Sequence, residues 1–180
     1  VVFDVGANCG LFTALVLDKW REARVHAFEP QKKLVARISE FASINQLAHR
    51  VTVNRSAVGA KNGEAEFHLH RNPIGSSLLR EKVGARRQRT VRVPMTTLDH
   101  YAQRNNLARV DILKLDVEGS ELDALRGAAQ ILKTVRVLFV EFHPPHSRYA
   151  DAVEFLNGKG LTCNQPPRNE IKADCVFIRK

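Results

Sequence analysis

No apolar run in these 180 residues reaches the roughly 18–20 that a helix needs to cross a bilayer, so the sequence offers no membrane span. No secretory leader is expected in these residues either, because Val1-Val2-Phe3-Asp4-Val5-Gly6 already reads as a buried strand running into a turn. A chain that opens directly on a core strand is expected to be part of a longer one. Cysteine is scarce: Cys9, Cys163 and Cys175 are an odd number without a C-x-x-C spacing. That argues against a disulfide framework or a zinc ribbon and points to a reduced, cytoplasmic setting. Repeats and low-complexity tracts are also missing. Aromatic residues make up 7% of the chain, and none falls in the basic run of Arg80, Lys82, Arg86, Arg87, Arg89 and Arg92. Bases would find no ring to stack on there, which argues against single-stranded nucleic acid as a partner.

What is present suits one folded domain over residues 1–180. Hydrophobic residues are 44% and charged residues 26%, enough to build a core and solvate its surface. The net charge of +9 favours acidic partners such as phosphates, nucleic acid or an anionic cofactor, and it speaks to association and not to fold.

Residues 1–5 form a β-rich run that ends in the turn Gly6-Ala7-Asn8-Cys9-Gly10. Leu11, Phe12, Leu15, Val16 and Leu17 predict a packed helix over 11–20. A second strand over 24–29 stops at Pro30. Leu34, Val35, Ile38, Phe41 and Ile44 recur close to a 3.6 period and predict an amphipathic helix over 32–45. A third strand is expected over 51–58. This βαβαβ alternation implies a doubly wound α/β fold with parallel strands and helices between them. Residues 64–70 and 90–95 read as two strands around a polar, basic loop, a small β insertion of about 62–97 between strands 3 and 4. A short helix over 98–106 follows. The alternation then resumes with a strand over 110–116 and a helix over 119–133 that turns Leu122, Leu125, Ala129 and Leu132 inward. A very hydrophobic, central strand is expected over 135–142 and a helix over 149–157, with closing strands over 161–164 and 174–179.

The first loop carries the chemistry. Glycines where a strand hands over to a helix permit a tight turn and let the backbone approach a ligand, with unpaired helix N–H groups facing it. Glu29 follows Gly10 at the end of the second strand. In dinucleotide folds an acid about 20 residues on bonds ribose hydroxyls. The pair points to an adenosine cofactor. The spacing is Gly-x-x-x-Gly and lacks the middle glycine that lets backbone approach a pyrophosphate. S-adenosylmethionine has no pyrophosphate, and Asp4 is placed to meet its ammonium, directly or through water. A tight turn without ligand, with Asp4 bonded to loop amides, is the bland alternative.

These residues resemble the FkbM-type methyltransferases, a branch of the class I S-adenosylmethionine-dependent enzymes. VFDVGANCG at residues 2–10, FEP at 28–30 and VDILKLDVEGSELDALRGA at 110–128 carry the likeness, with MTTLD at 95–99 and VEFH at 140–143 adding to it. The resemblance implies a Rossmann-like, seven-stranded, mostly parallel sheet whose last strand is antiparallel. It implies a cofactor held by Asp4, Gly6, Asn8, Gly10, Glu29 and Pro30, with Ser56 and Ala57 along the adenine and Asp116 near the methyl group. It also implies O-methylation of small molecules, sugars or lipid-linked glycans.

Methyl transfer from a sulfonium needs the acceptor oxygen positioned about 3 Å from the methyl carbon. An alcohol acceptor must also lose its proton. Candidates at strand ends facing the crevice are Asp116 and Glu118, then Glu141 and His143. His143 is the first choice for the base, since an unperturbed histidine titrates near neutrality; a histidine bonded only to loop carbonyls is the alternative. His146 is the weaker candidate. Glu118 either holds substrate or caps the helix opening at Gly119. Asp116, Glu141 and His143 form an oxygen/nitrogen set of the kind that takes a divalent ion, but no spacing demands one, and no metal is expected. Residues 74–78 suit a flap over the site, and the basic run suits an anionic substrate or a solvated loop. RNA methylation is suggested by the charge, although no Asn-Pro-Pro-Tyr-like motif for base N-methylation follows the fourth strand. An NAD-dependent oxidoreductase is opposed by the turn spacing, and a binding module without catalysis by the intact Asp4, Glu29 and Asp116.

Overall fold

The computed structural model describes residues 1–70, 76–79, 89–143, 148–164 and 173–180. Its main sheet begins with β1 (Val2–Val5), buried along its whole length. Then come α1 (Leu11–Lys19), β2 (Val25–Phe28), α2 (Lys32–Ile44) and β3 (Val51–Asn54). After a small second sheet of β4 (Ala57–Val58), β5 (Gly63–Leu69) and β6 (Arg89–Thr96), α3 (Leu98–Arg104) leads back to β7 (Ile112–Leu115). The rest is α4 (Glu121–Arg126), β8 (Val137–Phe142), α5 (Tyr149–Asn157), β9 (Leu161–Cys163) and β10 (Ala173–Arg179).

The seven strands of the main sheet lie in the order β3-β2-β1-β7-β8-β10-β9. β1 pairs in parallel with both β2 and β7, and β7 with β8. The last strand, β10, is antiparallel to its neighbours β8 and β9. This is the architecture the sequence resemblance implies. Because successive strand side chains point to opposite faces, β1 divides its residues. Phe3 and Val5 join the large core with Leu113, Leu115, Leu125, Leu138 and Phe142, whereas Val2 packs with Val16, Leu17 and Val25. Fully burying one such leucine or phenylalanine is worth roughly 1.5–3 kcal/mol.

Four expectations need correcting. The strand over 51–58 is two strands: it leaves the main sheet after Asn54 and enters the second sheet at Ala57, where β4 pairs with β6. The helix over 119–133 is cut to α4 and a 3-10 turn over Ile131–Lys133. It stops at Gly127, where a Cβ would stand 2.1 Å from the Gly59 carbonyl oxygen, while the Asp99 carboxylate accepts the amides of Gln130 and Ile131. The hydrophobic strand β8 is interior but not the middle strand, which is β7. In α1, Leu11 and Leu15 do not pack inward: they are 67% and 60% exposed, while Thr13, Val16 and Leu17 are buried. Thr13 faces Asp4, and that buried polar contact sets the rotation of the helix.

Candidate active site

The chain leaves β1 through a turn that only glycine fits. Gly6 has φ 71°, and a Cβ there would lie 1.7 Å from the Asp116 carbonyl oxygen. Asn8, at φ 51°, is also left-handed, and its amide donates to Glu29 Oε2 at 3.0 Å. Glu29 Oε1 accepts the Gln31 amide at 2.8 Å. Glu29 therefore closes β2 with both oxygens facing backbone amides. Burial pushes its pKa up to about 7, with the amides of Gln31 and Asn8 and the charge of Lys114 pulling the other way.

A pocket opens at these strand ends; the space between its walls, open solvent included, is about 580 Å³. Gly6, Asn8, Glu29, Pro30, Ser56, Ala57 and Asp116, all expected to touch a cofactor, line it. Phe28, Val58 and Val117 supply apolar wall, and Phe67, Ser76 and Leu78 close it from the second sheet. Asp4 and Gly10 stand behind this wall. Asp4 is wholly buried; its Oδ2 accepts the Thr13 hydroxyl at 2.6 Å, and Lys114 Nζ is 3.6 Å from Oδ1. Burial raises its pKa against the pull of Lys114 and Thr13. Gly10, at φ 87°, opens α1 with Ile38 packed 3.0 Å from where a Cβ would be.

His143 follows β8 and is buried beside Asp116 and Glu118, which line the cavity. Its Nδ1 bonds Glu121 Oε1 at 2.9 Å, and the same oxygen accepts the Gly119 amide at 2.8 Å. Its Nε2 faces Glu141 Oε1 at 3.3 Å, Glu118 Oε2 at 3.4 Å and Asp116 Oδ1 at 3.9 Å. Left-handed backbone at Glu118 (φ 56°) and Gly119 (φ 107°) turns the loop so that Glu118 meets the imidazole. Burial also raises the pKa of Asp116, opposed by Lys114 and reinforced by Glu118. Glu118 does not cap the following helix, which begins at Glu121.

Sequence reasoning missed two residues. Glu121 is wholly buried and holds His143; an acid in the first turn of a helix is commonplace, so nothing marked it. Lys114 donates to the Gly6 carbonyl at 2.7 Å and lies 3.5 Å from Asp116 Oδ2. A lysine inside the apolar run VDILKLD was a legible signal. Of the proposed flap, Ser76 and Leu78 line the cavity and the Ser77 hydroxyl donates to the Glu118 carbonyl at 2.8 Å. Ile74, Gly75 and His146 lie outside the described residues, as do Arg80, Lys82, Arg86 and Arg87. Arg89 and Arg92 are exposed on β6. Among the described residues no helix is long and apolar enough to cross a membrane.

Known proteins are similar to this chain. A hexuronic acid methyltransferase, AglP, of Haloferax volcanii is 27% identical over 143 residues, covering 79% of this chain and 56% of its own length. A 2-O-methyltransferase, NoeI, of Sinorhizobium fredii is 24% identical over 155 residues, covering 79% and 63%. The chain thus spans little more than half the length of these two relatives. The crystal structure of the methyltransferase FkbM from Methylobacillus flagellatus superimposes with a TM-score of 0.64 at 16% identity, over 98% of this chain and 42% of that one; a likeness at that identity speaks for the fold. The sequence profile described as the Methyltransferase FkbM domain matches residues 4–163, from the Asp4 that anchors the first turn to the Cys163 that ends β9. The chain belongs to the FkbM methyltransferase domain family.

Proposed function

We propose that this chain binds S-adenosylmethionine in this pocket and transfers its methyl group to a hydroxyl of a sugar or other small molecule. The observation that carries the reading is the convergence of Gly6, Asn8, Glu29, Ser56, Ala57, Asp116 and Glu118 on a single pocket. The relatives' names, a hexuronic acid methyltransferase and a 2-O-methyltransferase, support a carbohydrate hydroxyl as acceptor.

When bound, the cofactor supplies a methyl group already activated on a positively charged sulfur. The chain's own residues then have three tasks. Glu29 accepts hydrogen bonds from the ribose hydroxyls, Ser56 and Ala57 line the adenine, and the apolar wall of Phe28, Val58 and Phe67 excludes water. Asp116 and Glu118 present negative charge to the cationic end of the ligand. The proton of the acceptor hydroxyl leaves into the cluster around His143, whose ring Glu121 holds in place. The same acidic rim opposes a nucleic-acid phosphate backbone, so a small acceptor is favoured over RNA.

Calorimetry with S-adenosylmethionine and NAD side by side tests the cofactor: the first should bind and the second should not, and the reverse overturns the proposal. A labelled-methyl screen across sugars, lipid glycans, hydroxylated metabolites and RNA tests the acceptor, and label appearing only in RNA would sink the carbohydrate assignment. His143→Ala should slow turnover by about 10²–10⁴-fold, the usual worth of acid–base help, with cofactor affinity nearly intact.

A further inference from the structure

We infer that Asp116, Glu118 and His143 form a divalent-cation site at the acceptor end of the cavity. This inference rests on the methyl-transfer reading and gives its cluster a specific task. Each of the three residues offers one ligand atom, and these atoms all lie within 4.8 Å of one another. Ligands about 2.1 Å from a shared ion, at angles of roughly 90–110°, sit about 3.0–3.4 Å apart. His143 Nε2 and Glu118 Oε2 are already 3.4 Å apart, and Asp116 Oδ1 at 3.9 Å needs only a small shift.

Two features favour an ion over a simple salt bridge. Glu121 occupies Nδ1 of His143, which turns Nε2 toward the carboxylates; a buried carboxylate behind a ligating imidazole is the usual support of a metal-binding histidine. Asp116 is divided between two partners: Oδ2 faces Lys114 at 3.5 Å, whereas Oδ1 is a buried oxygen with no hydrogen bond.

The donor types narrow the ion. Magnesium seeks an all-oxygen shell, whereas one imidazole with two carboxylates suits manganese or zinc. Three protein ligands leave positions open for an exogenous oxygen, as catalytic sites do. The acceptor hydroxyl would take such a position, where the ion makes its proton easier to remove. The proton passes to Glu141, outside the ligand triad. The oxygen's electron pair forms the bond to the methyl carbon, and the carbon–sulfur bond breaks with its pair left on sulfur as a neutral thioether.

The test uses Mn²⁺ as probe on protein first treated with chelator, with free Mn²⁺ followed by electron paramagnetic resonance. Saturable uptake of one ion per chain is expected, with a dissociation constant tighter than about 1 mM. Glu118→Gln and His143→Gln should each weaken uptake at least about tenfold, with circular dichroism showing that both variants fold. No saturable uptake by the parent protein overturns the inference, and so does uptake that neither substitution changes. Full methyl-transfer rate in excess chelator also overturns it while leaving the methyltransferase reading intact. Failure of S-adenosylmethionine to bind, with or without Mn²⁺, brings down that reading instead.

Discussion

Glu29 gives the protein two pH dependences of opposite sign. Its carboxyl sits near pKa 7 in the folded chain against about 4.5 ordinarily, because burial disfavours the charged form. The folded state therefore holds the proton more tightly than the unfolded one. The resulting stabilisation, roughly 3 kcal/mol, is fully present below about pH 4.5 and is lost as pH rises through about 7. Ribose hydroxyls, in contrast, donate to the ionised carboxylate, so cofactor affinity should fall about tenfold per pH unit below 7 and level off above it. Urea denaturation and calorimetry across pH 5–8 measure the two trends, and Glu29→Gln should flatten both. Glu29→Ala should weaken the cofactor by roughly 1.5–3 kcal/mol, the worth of hydrogen bonds to a charged group. Affinity that ignores pH would mean the ribose is held elsewhere. At this scale the sequence was informative where spacing along the chain carries the role, as for Gly6, Asn8 and Glu29. It was silent where the role is a tertiary contact, as for Glu121 behind His143, and it marked Lys114 only as a lysine inside an apolar run, without showing that it reaches the Gly6 carbonyl.

Among elements, strands and helices were legible where burial is uniform or strictly periodic. β1 and β7 read as strands because both lie inside a parallel sheet, and α2 as a helix from Leu34, Val35, Ile38, Phe41 and Ile44, although it buries Leu34, Ile38 and Ala42 and leaves Ile44 exposed. The misreadings share a cause. The break between β3 and β4 falls at Arg55 and Ser56, without glycine or proline to mark it. The shortening of α4 is imposed from outside, by Gly59 against Gly127 and by the Asp99 carboxylate on the following turn, while Leu122, Leu125 and Leu132 keep helical spacing. α1 was read as a packed helix from Leu11, Phe12, Leu15, Val16 and Leu17, yet Leu11 and Leu15 face outward, because hydrophobic spacing cannot anticipate that Thr13 must reach a buried Asp4. The join between the second sheet and the loop after β7 is likewise tertiary, and it is testable. Ser77 is wholly buried, donates to the Glu118 carbonyl and accepts the Leu79 amide at 3.0 Å. Ser77→Ala strips both bonds and should cost roughly 1–3 kcal/mol in chemical denaturation. It should also raise KM for the acceptor more than it changes cofactor affinity, because Glu118 is the loop residue it steadies. An unchanged denaturation midpoint would show that the hydroxyl bonds contribute nothing to the join.

For the molecule as a whole, the net charge of +9 and the chemistry of the pocket point in opposite directions. The cavity end is acidic, with Asp116, Glu118 and Glu141 around His143, while exposed basic residues such as Arg89 and Arg92 lie on β6. At physiological salt, exposed charges act over about 8 Å, so the surface arginines steer what approaches and leave the buried cluster to its own local balance. The cavity itself belongs to two sheets: β1, β2 and β7 supply its floor through their end loops, and Phe67, Ser76 and Leu78 supply its cover. A ligand filling it should therefore stabilise both. With cofactor at about 100 times its dissociation constant, the gain is roughly 2.7 kcal/mol and is felt by every amide that exchanges through global opening. Amides that exchange by local opening discriminate further. Hydrogen exchange read by mass spectrometry should slow on cofactor addition over residues 5–10, 29–31 and 116–119, and together with them over 67–69 and 76–79. Slowing confined to the first three segments would place the second sheet outside the binding pocket, and Phe67 and Leu78 would then be a wall that the ligand never touches.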